Sequence, residues 1–128
     1  MLRSIHRPDR EAVLARLAEG EDLTGCDLAG IDLSGAALSG VQLVRVDLTG
    51  ANLSGADLSG ADLTQSRLVG ADLSGADLKG ARLHLADLHD ANLSRADLHE
   101  ARLGTADLTD AVLEDAEGYA GWRVPFYR

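Results

Sequence analysis

Leucine stands at residue 23 and at every fifth residue after it through Leu113, nineteen positions without a gap. Two residues before each leucine the side chain is small or apolar. Cys26, Ile31, Ala36, Val41 and Val46 come first, then mostly alanine, with Glu21 and Ser66 the departures. The residue just before leucine is usually Asp, the next after it often Ser or Thr, and then often Gly, so the unit reads Ala-Asp-Leu-Ser-Gly. A period of five fits neither the 3.6 of an α-helix nor the 2 of a strand. On a helix the leucines would spread around the whole circumference, and recurrent glycine would cost about 1 kcal/mol each time. On a flat strand successive leucines would face opposite sides, because five is odd. The chain must therefore turn a corner once per unit. Four corners close a square, and successive coils stack at the sheet spacing of about 4.8 Å. The pattern predicts an all-β fold, a right-handed quadrilateral parallel β-helix about 23 Å tall. Leucine and the small residue point inward; the other three positions point out.

The corners and ends carry their own signals. Gly fills the second position after leucine at residues 25, 30, 35, 40, 50, 55, 60, 70, 75 and 80, which suits a turn with positive φ. Beyond Gly80 that position holds Leu85, Asp90, Arg95, Glu100, Thr105, Asp110 and Asp115. Leu and Thr tolerate positive φ poorly, so the corners are expected to change turn type, at least in part, past residue 80. Residues 8–19 read as a short capping α-helix. Pro8 suits its first position, Asp9 and Glu11 its first turn, and Gly20 the place just past its end. Its apolar face, Val13, Leu14 and Leu17, would lie over the first coil as a lid, since open solenoid ends must be covered. Three segments follow: 1–20 with the helix, 21–116 with the repeats, and 117–128. Aromatic residues make up only 3% of the chain, and all four fall in the last ten residues: Tyr119, Trp122, Phe126 and Tyr127. They read as a cap over the last leucines or as a contact for homodimerisation, where aromatics are enriched; the two are compatible.

Nineteen uninterrupted units of this kind resemble the pentapeptide-repeat family, over residues 21–115. The resemblance implies the same square β-helix, a pentapeptide-repeat solenoid. It also brings in relatives of the quinolone-resistance type, which bind DNA gyrase as mimics of DNA. Those relatives are longer dimers, often with Phe at the central position near the dimer seam, and some need projecting loops. This chain has Leu at all nineteen central positions and no such loops.

Charge sharpens the choice of partner. The chain has 128 residues and a formal charge of −9 with 21 acidic side chains, which repels nucleic acid and anionic membranes and suits a basic partner. Residues 21–116 hold 17 acids and 6 bases. Sorted by side, the position before leucine gives rows. One holds Ala37, Asp57, Asp77 and Asp97. The next around the coil holds Asp22, Gln42, Asp62, Arg82 and Arg102. A third holds Asp27, Asp47, Arg67, Asp87 and Asp107, with Asp90 and Asp110 near it. The last holds Asp32, Asn52, Asp72, Asn92 and Val112. Stacked aspartates about 5 Å apart repel by under roughly 1 kcal/mol per pair in water. They read either as repeat consensus, bonding corner amides as in an Asx-turn, or as a DNA-like row of charge. The candidate interaction surface is therefore Asp57, Asp77, Asp97, Asp27, Asp47, Asp87 and Asp107.

Catalytic and metal chemistry find little footing. His84, His89 and His99 take the outward position after leucine on three different sides, and do not converge on one another as metal ligands must. Cys26 occupies an inward small position, as a buried filler. The outward Ser and Thr recur by consensus, with no Ser-His-Asp arrangement to single out, and the glycines lack the strand-to-helix setting of a phosphate loop. No cofactor, metal or direct nucleic-acid binding is expected. One cysteine allows no intrachain disulfide. No apolar run approaches the roughly 20 residues of a membrane helix, and the N-terminus lacks a secretory stretch. The expectation is a cytoplasmic, non-enzymatic protein that binds a protein partner.

Overall fold

The structure, a computed structural model, describes residues 9–119. It is a solenoid of parallel coils, each pairing with the next twenty residues on, as in Asp27 with Asp47, Asp57 with Asp77 and Arg82 with Arg102. On every side the leucine amide donates to the carbonyl of the following coil, as from Leu28 to Asp47 at 2.7 Å, and the amide before it donates back, as from Asp47 to Cys26 at 2.9 Å. All nineteen leucines are buried, as are Cys26, Ile31, Val46 and most of the alanines. The outward positions flank them at intermediate or full exposure. The core is thus one continuous aliphatic column. Each leucine is worth about 1.5–3 kcal/mol of transfer free energy, set against the entropy of ordering the chain.

Each corner is a turn in which the residue three past a leucine donates its amide back to that leucine's carbonyl, as from Ile31 to Leu28 at 3.1 Å. The corner amide also donates up the stack, as from Gly30 to Thr49 at 2.8 Å. Positive φ recurs at corners with and without glycine, and at Glu100, Asp110 and Asp115 it is kept without an amide bond to a further coil among the described residues. The expected change of turn type past residue 80, at least in part, is met at Thr105 and not at the other corners. Leu85, Asp90, Arg95, Glu100, Asp110 and Asp115 all keep φ between 58° and 62°. Thr105 alone among these corners is not in positive φ. There the Leu85 amide donates to Thr105 Oγ1 at 2.9 Å instead of to a Gly104 carbonyl, as a turn with its central peptide reversed requires.

The predicted N-terminal helix is α1, Arg10–Ala18. Pro8 lies outside the described residues. Asp9 is the N-cap rather than a first-turn residue, its carboxylate accepting from the Ala12 amide at 2.8 Å. Gly20, at φ 79°, closes the other end. Its amide donates to Leu17 and that of Glu21 to Arg16, the paired bonds of a Schellman motif. Val13 and Leu17 are buried in the same cluster as the leucines, and Leu14 packs partly against it. Arg10 ties the helix to the first coil through the carbonyls of Asp32 and Ser34, both at 3.0 Å.

At the other end Glu117 still pairs with Asp97. Gly118 then stands where a leucine would fall. Its φ is 85°, and a side chain there would collide with the backbone of His99. Tyr119 packs partly against the core. Trp122, Phe126 and Tyr127 lie outside the described residues.

One inward position breaks the aliphatic rule. Ser66 is 1% exposed and its hydroxyl has no hydrogen-bond partner among the described residues. Replacing Ser66 with Ala is expected to raise unfolding stability by about 1 kcal/mol, because an unsatisfied buried hydroxyl is removed without loss of packing. Leu68→Ala is expected to lower it by about 2–5 kcal/mol. Urea denaturation of the two variants measures both.

Candidate interaction surface

The seven aspartates are built into the corners. At thirteen described corners the Asp or Asn before leucine accepts a hydrogen bond at 2.9–3.1 Å from the amide two residues on. Asp27, Asp47, Asp57, Asp77, Asp87, Asp97 and Asp107 are all among them. Where Ser or Thr follows the leucine, its hydroxyl often donates to the same oxygen, as from Ser59 to Asp57 at 2.7 Å and from Thr24 to Asp22. Asn52 and Asn92 make the same amide bond without a charge, each at 3.0 Å. The corner bond thus calls for an acceptor oxygen and not for a charge, and the corners at Ala37, Gln42, Arg67, Arg82, Arg102 and Val112 turn without it.

These bonds favour the ionised form. The Ser34 hydroxyl and then the Ser34 amide hold the Asp32 carboxyl below its ordinary range. Ser59 does the same for Asp57, Thr24 for Asp22 and Thr109 for Asp107. At Asp97 the donor is the His99 ring, its Nδ1 2.6 Å from the carboxylate. At Asp47 burial pushes the other way, but the Thr49 hydroxyl and amide outweigh it.

The surface is not uniformly acidic. Asp57, Asp77, Asp97 and Glu117 stack in one unbroken row, with Lys79 Nζ 3.7 Å from Asp77 and 4.0 Å from Asp97. Asp27 and Asp47 are separated from Asp87 and Asp107 by Arg67. Asp27, Asp57 and Asp107 are exposed, while Asp47, Asp77, Asp87 and Asp97 are half-buried among their neighbours.

Sequence reasoning missed the company the histidines keep. They do not meet one another, but two of them gather carboxylates. His89 stands with Asp90 and Asp110, and His99 with Asp97 and Glu117, ligand atoms lying within 4.8 Å in each group. His89 Nε2 is 3.3 Å from Asp90. Each set offers one imidazole and two carboxylates at the surface. The signal was present in the numbering, since His99 fills the slot in which Ser normally donates to the preceding Asp, and Glu117 lies one coil beyond Asp97. An open hollow of about 570 Å³ is lined by His99, Ala116, Glu117, Gly118 and Tyr119. Cys26 is buried. No helix among the described residues is long and apolar enough to cross a membrane.

The family model for pentapeptide repeats matches eight copies over residues 22–55, 56–95 and 86–117. The chain belongs to the pentapeptide-repeat family. Among solved structures it is similar to HetL, a pentapeptide repeat protein involved in heterocyst differentiation regulation in the cyanobacterium Nostoc sp. strain PCC 7120. That match has 32% identity and a TM-score of 0.83, over 86% of this chain and 47% of HetL. It is similar also to alr5209 of Nostoc PCC 7120, at 35% identity and a TM-score of 0.58, over 88% of this chain and 90% of that one. A third likeness is to Rfr23 of Cyanothece 51142, at 36% identity and a TM-score of 0.58, over 71% of this chain and 58% of that one. The chain thus spans about half the length of HetL. A comparison with curated proteins finds no match.

The depressed carboxyl pKa values fix the sign of the acid response. A carboxylate whose folded pKa lies below its unfolded value of about 3.9 stabilises the fold above that pH and loses the contribution as pH falls through the folded value. Thermal midpoints are expected to hold from pH 7 to about pH 4.5 and to drop below about pH 4. A variant carrying Asp57→Asn, Asp97→Asn and Asp107→Asn keeps the corner acceptors and should lose less on acidification than the native chain. Thermal unfolding followed by circular dichroism at both pH values reads the difference.

Proposed function

We propose that this protein is a non-enzymatic, rigid interaction scaffold that docks a protein partner with a basic surface. The observation that carries the reading is the unbroken carboxylate row of Asp57, Asp77, Asp97 and Glu117, held in fixed register by the backbone ladder. Asp27, Asp47, Asp87 and Asp107 extend the negative surface on another side. A stack of coils has few soft degrees of freedom, so such a row meets a partner already ordered and loses little entropy on binding. The involvement of HetL in regulating heterocyst differentiation supports a binding role over turnover. The His-carboxylate groups at the surface lack the enclosed, water-excluding setting that catalysis uses. The protein acts in the cytoplasm on this reading, and the end of the rod at Tyr119, which packs partly against the core, is where two copies would join.

A second reading, mimicry of DNA toward a type II topoisomerase such as DNA gyrase, rests on the same row. Arg67, Arg82, Arg102 and Lys79 interrupt the negative field around the rod, which favours the protein-partner reading.

The triple variant Asp57→Asn, Asp77→Asn, Asp97→Asn tests the proposal, since Asn preserves the corner bond. Native and variant proteins are immobilised and compared for capture of a defined basic probe, an oligolysine peptide, and for the cellular proteins retained alongside it. The native chain should bind the peptide with an affinity that falls as salt rises, and the variant should bind it about tenfold more weakly. Equal retention by both would overturn the reading. Inhibition of gyrase supercoiling by the native chain and not by the variant would establish the second reading instead.

A further inference from the structure

Two stacked units on one side of the rod depart from the repeat at every outward position. Residues 81–85 read Ala-Arg-Leu-His-Leu and residues 101–105 read Ala-Arg-Leu-Gly-Thr, keeping the inward Ala and Leu while exchanging the outward Asp, Ser and Gly. Arg82 pairs with Arg102 in the parallel ladder, and no other bridge among the described residues sets two cations side by side. Both arginines are exposed. Neither guanidinium has an ion pair or hydrogen bond with a described residue. On the adjoining corner Leu85 is 53% exposed at φ 58°, a conformation that costs a leucine and suits glycine. Thr105 Oγ1 accepts from the Leu85 amide and lies 2.9 Å from His84 Nδ1, which fixes the imidazole beside the leucine.

The repeat calls for none of these exchanges. The arginines forgo the acceptor that caps thirteen other corners, Leu85 forgoes glycine, and Thr105 leaves positive φ while its hydroxyl makes good the bond to the Leu85 amide. Departures that incur local cost and cluster in one place point to use of the surface.

We propose that this patch docks a short acidic peptide segment of a partner protein, with carboxylates on Arg82 and Arg102 and an apolar side chain against Leu85. The inference rests on the scaffold reading and adds a second, oppositely charged surface to it. Stacked guanidinium groups at the coil spacing of about 4.8 Å present parallel forks that suit carboxylates, and an anion between them relieves their mutual repulsion. The flanking sides decide the class of partner. One carries Asp57, Asp77, Asp97 and Glu117, and the other carries Asp87 and Asp107 level with the arginines. A long polyanion such as nucleic acid would run into one or other of them. A short peptide fits between them, and Leu85 gives it an apolar contact that a bare phosphate cannot use.

The test is a titration of the isotope-labelled full chain with the capped peptide Glu-Glu-Leu-Glu-Glu, followed by amide chemical shifts. The Lys-Lys-Leu-Lys-Lys counterpart and a short single-stranded oligodeoxynucleotide serve as comparisons. The acidic peptide should move the amides of Arg82, His84, Leu85, Arg102 and Thr105 saturably. Arg82→Glu with Arg102→Glu should weaken that binding by about tenfold with the circular dichroism spectrum and thermal midpoint retained. Leu85→Gly should weaken it while raising the midpoint, because it relieves the corner and removes the contact. The proposal is overturned if the peptide moves none of these amides up to about 1 mM, or if the double variant binds as the native chain does. Tighter binding of the oligonucleotide at the same amides would overturn it too, as would self-association of the chain through this patch in sedimentation. The scaffold reading fails separately, through unchanged oligolysine binding by the Asp→Asn variant, whose substitutions leave Arg82, Leu85 and Arg102 in place.

Discussion

Every fifth side chain from Leu23 to Leu113 has to reach the same narrow interior, and a backbone can deliver it there only by turning between one leucine and the next. That constraint produces the square coil. Once the coil exists, its amides and carbonyls lie at sheet spacing from those of the next coil and pair with them. The ladder and the leucine column are therefore one arrangement, and neither survives without the other. The ends of the column are where the constraint lapses. Helix α1 lays Val13 and Leu17 over the first coil, latched by Arg10, and Gly118 ends the repeat where a leucine would collide with its neighbours.

The same constraint separates fold from function. Inward positions are committed to packing, so binding must be written in the outward ones. Those are only partly free, because at most corners an Asp or Asn before the leucine accepts a bond from the amide two residues on. Asn52 and Asn92 show that the acceptor suffices without charge. The aspartates on other sides thus carry a structural role and an electrostatic surplus together. The surplus makes an acidic rod, and the Arg82–Arg102 side cuts across it. A scaffold with both signs on a rigid frame can distinguish partners by orientation as well as by affinity.

The square coil, its twenty-residue register, the inward and outward sets and the rows of charge were all legible in the sequence, because each follows from a strict period. Helix α1 was legible from its end residues, although it starts at Arg10, two residues later than Pro8 at its first position would place it. The turn conformation past Gly80 was legible at Thr105, which leaves positive φ, but not at the other corners, which keep it. Side-chain preference argues against positive φ at Leu85, yet Leu85 keeps it at 58°, with its amide held by Thr105 Oγ1 of the next coil. Thr105 follows its preference because its own hydroxyl supplies the bond that the reversed peptide withdraws. The bridge from Lys79 to Asp97 depends on side-chain rotamers between stacked coils, which a one-dimensional pattern does not encode. Among the candidate end-cap residues only Tyr119 lies in the described part of the chain.

The central claim is that the inward column and its ladder hold the fold while outward departures from the repeat serve binding. The measurement that tests it most directly is the unfolding free energy of a variant whose units 81–85 and 101–105 are both rewritten as Ala-Asn-Leu-Ser-Gly. The account predicts a variant at least as stable as the native chain in urea, since glycine relieves the Leu85 corner and Asn restores two corner acceptors. A loss of more than about 1 kcal/mol would contradict it, by showing that the arginines, His84, Leu85 and Thr105 are part of what holds the coils together.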